Sequence, residues 1–354
     1  MKELSVRDVL VAHSRRYPKM QVQDAVKLLY QSEFGGGHMI LDEANSLLWL
    51  EEEWRDIKTA PGEVTEQIGG GLCRLHLAPL KNTGLSAATI NRLFVNTAKE
   101  VQGTSERIDR KLETFRQCCR EGVFCFTAEE AESYLQIYCA RGCPAVHHSE
   151  IFRALYAPAY RVVQAAYGKF LPLFIEIDKR LSRANRLNIA IDGNCAAGKS
   201  TLALLLRKIY DCNVIPMDDF FLPPALRTRE RLEEPGGNID YIRFYNEVTL
   251  GLESGEAFSY QAYDCTKEAF TRRVAVQKKS LNIVEGVYCL HPRLARIYGL
   301  KVFLYVSSEE QHARIVKRNS PALQQRFFYT WIPLEEAYFN AFSIPETCDL
   351  VLEG

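Results

Sequence analysis

The stretch RLNIAIDGNCAAGKST, residues 186–201, decides how this 354-residue chain is read. Its first half is a nearly unbroken apolar, β-branched run that closes on glycine, as a strand buried on both faces should. Its second half fits G-x-x-x-x-G-K-[ST] at every fixed position: Gly193, Asn194, Cys195, Ala196, Ala197, Gly198, Lys199 and Ser200, followed by Thr201. Residues this small let backbone N–H groups turn inward around phosphate oxygens. The helix predicted next, STLALLLRKIY, points its positive end at the same place. Strand, loop and helix together predict a nucleotide site. Lys199 is expected against the β- and γ-phosphates and the Ser200 hydroxyl on Mg²⁺.

Further strands are expected at NVIPM, SLNIVEG and LKVFLYV, separated by helical or irregular segments. Strands alternating with helices imply an α/β domain over 183–354, a P-loop NTPase-type parallel sheet flanked by helices. Two acidic positions end strands in this domain. Asp218, in Met217-Asp218-Asp219-Phe220, is placed to take the proton of an attacking hydroxyl, and Glu285 to hold a Mg²⁺-bound water. A guanine-reading NKxD segment is absent, which argues against a GTPase.

Residues 1–182 read as a mainly α-helical domain, with the boundary near IDKRLSRANR. Helices are expected from a Ser5 cap to Pro18, from Gln21 to the Gly35–Gly37 stop, and over MILDEANSLLWLEEEWRDI. EQIGGGLCRLHLAPL is less regular. Further helices are expected at SAATINRLFVNTAKEV, at SERIDRKLETFRQCCRE, after the Thr127/Glu130 capping box, and over EIFRALYAPAYRVVQAAYGKF with a kink near Pro158.

Composition narrows the classes. The 44 basic and 44 acidic side chains cancel, so no basic surplus points to nucleic acid. No apolar run approaches the roughly 20 residues that cross a bilayer, and the N-terminus carries charge where a signal peptide is apolar. Eleven cysteines are too few and too irregular for a disulfide scaffold, so reduced thiols in a cytoplasmic protein are expected.

From about Leu187 to its end, the chain resembles the uridine kinase family, with phosphoribulokinase and pantothenate kinase as more distant relatives. IAIDGNCAAGKST matches that family's phosphate loop, PMDDFF its D-S-F-Y-type segment, GGNIDYIRF its N-F-D-H-P-x-A-F stretch and FSYQAYDC its P-x-Y-D segment. IVEGVY corresponds to its F-E-G-I segment, and YVSSEEQHARIVKRN to its arginine-bearing helix before the lid. The resemblance implies ATP and Mg²⁺ as cofactors and Asp218 as catalytic base. It also implies Asp240 on ribose hydroxyls, Tyr263 near the nucleobase, and Arg314 or Arg318 meeting charge on the transferred group. Glu268 stands near the place of the family's base-reading histidine, and Arg326 in the region of its R-G-R lid element.

The expected activity is ATP-dependent phosphorylation of a hydroxyl on a small-molecule acceptor, a nucleoside first. The alternatives are a pantothenate-like or sugar-phosphate acceptor, or a non-catalytic ATP sensor. The helical half is open to ligand sensing, homo-oligomer assembly or cover for the acceptor site. There, Gly35–Gly37 and Gly69–Gly71 with His38 and His76 could admit a ligand close to backbone, although helix-ending linkers explain them more simply. Cys139, Cys143 and His147 are spaced for one helix face, but Gly142 and Pro144 interrupt it, so packed thiols are expected before zinc. Cys195, near Lys199 and a helix N-terminus, raises the question of a redox-sensitive thiolate.

Overall fold

The computed structural model describes residues 4–354, which form two compact units, one ending at Asp178 and the other running from Lys179 to Gly354. Among the described residues no helix is long and apolar enough to cross a membrane.

In the first unit, Ser5 caps α1 (Val6–Arg16), accepting from the Asp8 N–H while the Asp8 carboxylate accepts from the Ser5 N–H. Next come α2 (Val22–Phe34) and α3 (Glu43–Asp56), which starts at an Asp42 cap rather than at Met39. The irregular piece that follows is a hairpin of β1 (Thr65–Gly69) and β2 (Leu72–His76). Helices α4 (Leu77–Leu80), α5 (Ala87–Glu100), α6 (Ser105–Arg120) and α7 (Ala128–Ala140) come next. The helix expected to continue through Pro158 does not. It ends as α8 (Glu150–Tyr156), Ala157 takes a left-handed φ of 39°, and β3 (Tyr160–Gln164) pairs antiparallel with β2. Proline denies the helix a donor, and the β-branched Val162 and Val163 suit the pleated surface better. A three-stranded sheet, β1-β2-β3, therefore sits within the helices. The chain continues through α9 (Ala165–Lys169) and α10 (Leu171–Leu181).

The second unit opens with β4 (Leu187–Gly193), α11 (Lys199–Ile209) and β5 (Cys212–Pro216). Helices α12 (Arg229–Glu233) and α13 (Tyr241–Phe244) follow, the latter widening through Tyr245–Thr249 into α14 (Leu250–Ser254). Strands β6 (Phe258–Asp264) and β7 (Ala269–Val276) form an antiparallel hairpin where helical or irregular chain was expected. Strands β8 (Leu281–Glu285) and β9 (Leu300–Tyr305), helices α15 (Ser308–Arg318), α16 (Pro321–Arg326) and α17 (Ile332–Phe342), and β10 (Leu350–Glu353) complete the unit. The main sheet runs β10-β9-β4-β8-β5 with every pairing parallel. The four strands expected from apolar runs form its centre and one edge. Ala190, Ile215, Val284 and Phe303 from these strands lie in one buried cluster with Phe244, Tyr260 and Tyr338. The C-terminal ends of β4, β5 and β8 consequently share one edge, where parallel sheets place ligands.

Candidate functional site

The sheet register builds the site. Ile191 of β4 and Pro216 of β5 both lie opposite Glu285 of β8, so the loop after β4, the Asp218 turn and Glu285 emerge side by side. Gly193 leaves β4 with φ 139°, and a Cβ there would come within 1.9 Å of the Leu304 carbonyl oxygen. Only glycine fits. Ala196 at φ 60° and Gly198 at φ 97° take the left-handed conformations that curl the loop into a concave row of amides. Lys199, Ser200 and Thr201 form the first turn of α11, where backbone N–H groups lack intrahelical acceptors. The Lys199 ammonium lies across the loop, donating to the carbonyls of Gly193 at 2.7 Å and Asn194 at 2.8 Å.

Of the two adjacent acids after β5, the structure separates the roles. Asp219 accepts from the Tyr260 hydroxyl at 2.9 Å and faces Arg272 at 3.7 Å, while its own carbonyl accepts from Arg243 at 2.6 Å. Asp218 remains solvent-accessible at the strand ends. Protein walls around it still strip hydration, and this desolvation pushes its carboxyl up. Lys199 opposes that shift and Asp219 adds to it. Glu285 is buried and accepts from the Ser200 hydroxyl at 3.0 Å. Burial raises its pKa too, with Asp218 contributing, while Ser200 and Lys199 pull the other way.

Behind the loop stands a set of braces with no signature in the motif. Asp192 is fully buried and accepts from the amides of Gly193 at 2.7 Å and Leu290 at 3.0 Å and from the Tyr338 hydroxyl at 2.9 Å. Gln311 on α15 donates to the Cys195 carbonyl at 3.0 Å. Glu335 on α17 accepts from the Cys195 N–H at 2.8 Å. Arg314 donates to the carbonyls of Ala196 at 3.1 Å and Gly354 at 3.2 Å, and pairs with Glu310 at 2.8 Å. Arg314 thus grips the loop's outer face, whereas Arg318 is exposed one helical turn later. Arg326 is also exposed, its guanidinium 5.9 Å from the Trp331 ring.

The surroundings of Cys195 weigh against a reactive thiolate. Burial pushes the thiol up to about 12, and the neighbouring Glu335 carboxylate adds to that shift more than Lys199 offsets it. A protonated, buried thiol is a poor nucleophile.

The residues expected to read the acceptor lie near but are differently engaged. Asp240 caps α13, accepting from the Arg243 N–H at 3.0 Å, and faces the Arg243 side chain at 3.7 Å. Tyr263 is buried on β6 against Phe270, and its hydroxyl has no hydrogen-bond partner among the described residues. Glu268, in the β6–β7 turn, faces Arg227 at 3.8 Å.

In the first unit, Gly69–Gly71 make the β1–β2 turn, all three with positive φ, and a Cβ on Gly70 would meet the Ser32 carbonyl oxygen at 2.1 Å. His38 is exposed beside Tyr30. His76 faces Glu66 at 3.5 Å within a buried polar network that the sequence reading missed. Glu66 also faces His13 at 3.3 Å and Arg74 at 3.3 Å, Arg74 donates to Gln31 at 2.9 Å, and Tyr160 lies within 3.2 Å of Gln31. Tyr160 and Asp24 then hold the two ring nitrogens of His148 at 2.6 and 2.9 Å. Among the described residues no three His, Cys, Asp or Glu side chains, Cys139, Cys143 and His147 included, are arranged to hold a metal ion.

No family model matches the chain, and no curated protein does. Solved structures similar to about half of it include three whose names describe kinases. One is a possible uridine kinase from Bacillus stearothermophilus, 21% identical, covering 48% of this chain and 89% of its own, with a TM-score of 0.38. Another is a proposed fructose transport system kinase from Silicibacter sp. TM1040, 24% identical over 49% of this chain and 94% of its own, with a TM-score of 0.36. A third is a shikimate kinase from Bacteroides thetaiotaomicron, 16% identical over 47% and 86%, with a TM-score of 0.26.

Proposed function

We propose that the second unit is an ATP-dependent phosphotransferase that moves a γ-phosphoryl group to the hydroxyl of a small molecule, a nucleoside before a pantothenate-like or sugar-phosphate acceptor. The observation that carries this reading is the free Asp218 carboxylate at the end of β5, beside the phosphate loop, while its neighbour Asp219 is held by Tyr260. A protein that only senses ATP has no need of a base at the acceptor. In this reading the amides of the loop and of the first turn of α11 cradle the phosphates. Lys199 exchanges its loop carbonyls for phosphate oxygens, and Asp218 orients the acceptor hydroxyl and takes its proton. Arg314 holds the loop in shape, and Arg318 stands one turn further along the same helix for charge on the transferred group.

The Ser200 hydroxyl and Glu285 carboxylate are hard oxygen donors 3.0 Å apart at the mouth of the loop, a donor set that suits Mg²⁺. Bound there, the ion would offset the negative charge of the phosphates. Eleven free thiols fit a reducing, cytoplasmic setting.

The test is ADP release from Mg²⁺-ATP across panels of nucleosides, pantothenate-like alcohols and sugar phosphates. Strong stimulation by a nucleoside supports the reading, and stimulation confined to another class reassigns the acceptor. ATP binding without stimulation by any alcohol points to the sensor.

A further inference from the structure

Glu335 places a carboxylate against the phosphate loop. It sits on α17, only 6% exposed, and its Oε2 accepts from the N–H of Cys195, the third residue of the loop, at 2.8 Å. Gln311 on α15 holds the carbonyl of the same residue at 3.0 Å. Helices α15 and α17 flank the segment from Asn319 to Trp331, so Cys195 is gripped from both sides of that segment. A buried carboxylate therefore stands directly behind a surface built to receive several negative charges.

Four charged or titratable groups among the described residues interact with Glu335 most directly. Lys199 comes from α11, Asp192 from the end of β4, Cys195 from the loop and Tyr288 from the segment after β8. Lys199 is the one cation among them. It is also the group that must turn to phosphate when a nucleotide enters, and that exchange removes the main support for negative charge on Glu335. Burial already raises the Glu335 carboxyl to about 7, with Lys199 and the Cys195 amide opposing the shift.

Resting on the nucleotide-binding reading above, we propose that Glu335 is a positioning residue that ties the loop's third amide to α17, and that filling the loop with polyphosphate drives a solvent proton onto it. The step balances simply: one proton leaves the buffer and one carboxylate becomes a carboxylic acid, whose carbonyl oxygen still accepts from the Cys195 N–H. Uptake at a single site makes nucleotide affinity fall as pH rises.

The experiment is calorimetric titration of the full chain with Mg²⁺-ADP at pH 8, in buffers of different ionisation enthalpy, for wild type and Glu335→Gln. Glutamine keeps an oxygen for the Cys195 amide but cannot titrate. The expected result is a wild-type heat that varies with buffer, reporting uptake of up to one proton, and an E335Q uptake smaller by that amount. Comparison with the variant removes contributions from Asp218, Glu285 and the nucleotide. Equal buffer dependence in the two proteins overturns the inference. Should that variant fail to fold, Glu335→Ala is compared with wild type at pH 8 in its place: equal buffer dependence overturns the inference, and a smaller uptake supports it. No binding of the nucleotide by wild type overturns the underlying reading instead.

Discussion

The hydroxyl of Tyr260 donates to Asp219 at 2.9 Å, and that bond leaves Asp218 as the exposed member of two adjacent carboxylates. Asp218→Asn is expected to lower turnover by about 10²- to 10⁴-fold, the usual worth of a general base, while Mg²⁺-ADP affinity changes little. Asp219→Asn should lose far less activity. Steady-state kinetics beside calorimetry checks both. If Asp219→Asn is the more damaging change, the two roles have been assigned the wrong way round.

The same pair predicts the acid limb of the pH profile. Desolvation raises the Asp218 carboxyl, Lys199 opposes, and the Asp219 charge adds to the rise. A base must be ionised to accept a proton, so turnover should fall as pH drops through a value above the ordinary aspartate range near 3.9. Asp219→Asn removes a neighbouring negative charge and should move this limb to lower pH. A limb left in place by that substitution would separate Asp218 from the titration.

Lys199 is expected to matter in both binding and transfer. Lys199→Ala deletes a cation aimed at the loop's contents, and losses of about 10²- to 10³-fold in kcat/KM are expected by analogy with other electrostatic stabilisers. Because the side chain also donates to Gly193 and Asn194, the variant's melting temperature must be measured alongside. A stable variant with wild-type kcat/KM would exclude Lys199 from the chemistry.

Arg314 and Arg318 lie four residues apart on α15 but should behave differently. Arg314 donates to Ala196 and Gly354, so Arg314→Ala should loosen the loop. A charged hydrogen bond is worth about 1.5–3 kcal/mol, which projects to a rise of ten-fold or more in KM for ATP with kcat nearly kept. Arg318→Ala should instead lower kcat. A kcat defect with unchanged KM in Arg314→Ala would show that Arg314 leaves the loop to meet the phosphoryl group.

What could be read from sequence follows from how far apart the cooperating residues lie. The phosphate loop is contiguous, so its spacing and the apolar run just before it could be read together as strand, turn and helix. Asp218 and Glu285 were legible because each ends an apolar run, and the parallel register then sets them side by side. Glu335 lies 140 positions from Cys195, and nothing local marks it as facing the loop. The β6–β7 hairpin went unread because β7 is mostly exposed and Arg272 and Arg273 interrupt its apolar residues. In the first unit, β2 and β3 are five-residue strands whose charged Arg74 and Arg161 are buried, against the assumption that polar positions face water. The left-handed Ala157 was equally invisible, since alanine carries no hint of positive φ.

The buried network of the first unit yields a prediction with a definite sign. Glu66 is 4% exposed and lies within 3.5 Å of His13, Arg74 and His76. Burial pushes its carboxyl up, but the two histidines and Arg74 outweigh burial and hold it well below the usual range. A carboxylate depressed on folding stabilises the fold above its unfolded value, near 4.3, and the contribution disappears as pH falls through the folded value. Glu66→Gln leaves the Arg74 guanidinium buried without its counter-charge, a change that costs about 3–5 kcal/mol in comparable cases. Trp49 and Trp54 belong to the same unit and Trp331 to the other, so tryptophan fluorescence during urea unfolding follows the first unit when wild type and variant both carry Trp331→Phe. The gap between wild type and variant should be widest near pH 7 and should narrow as the solution is taken below pH 4. A variant as stable as wild type at pH 7 would mean that Arg74 finds its compensation elsewhere, and that Glu66 is not what holds this network together.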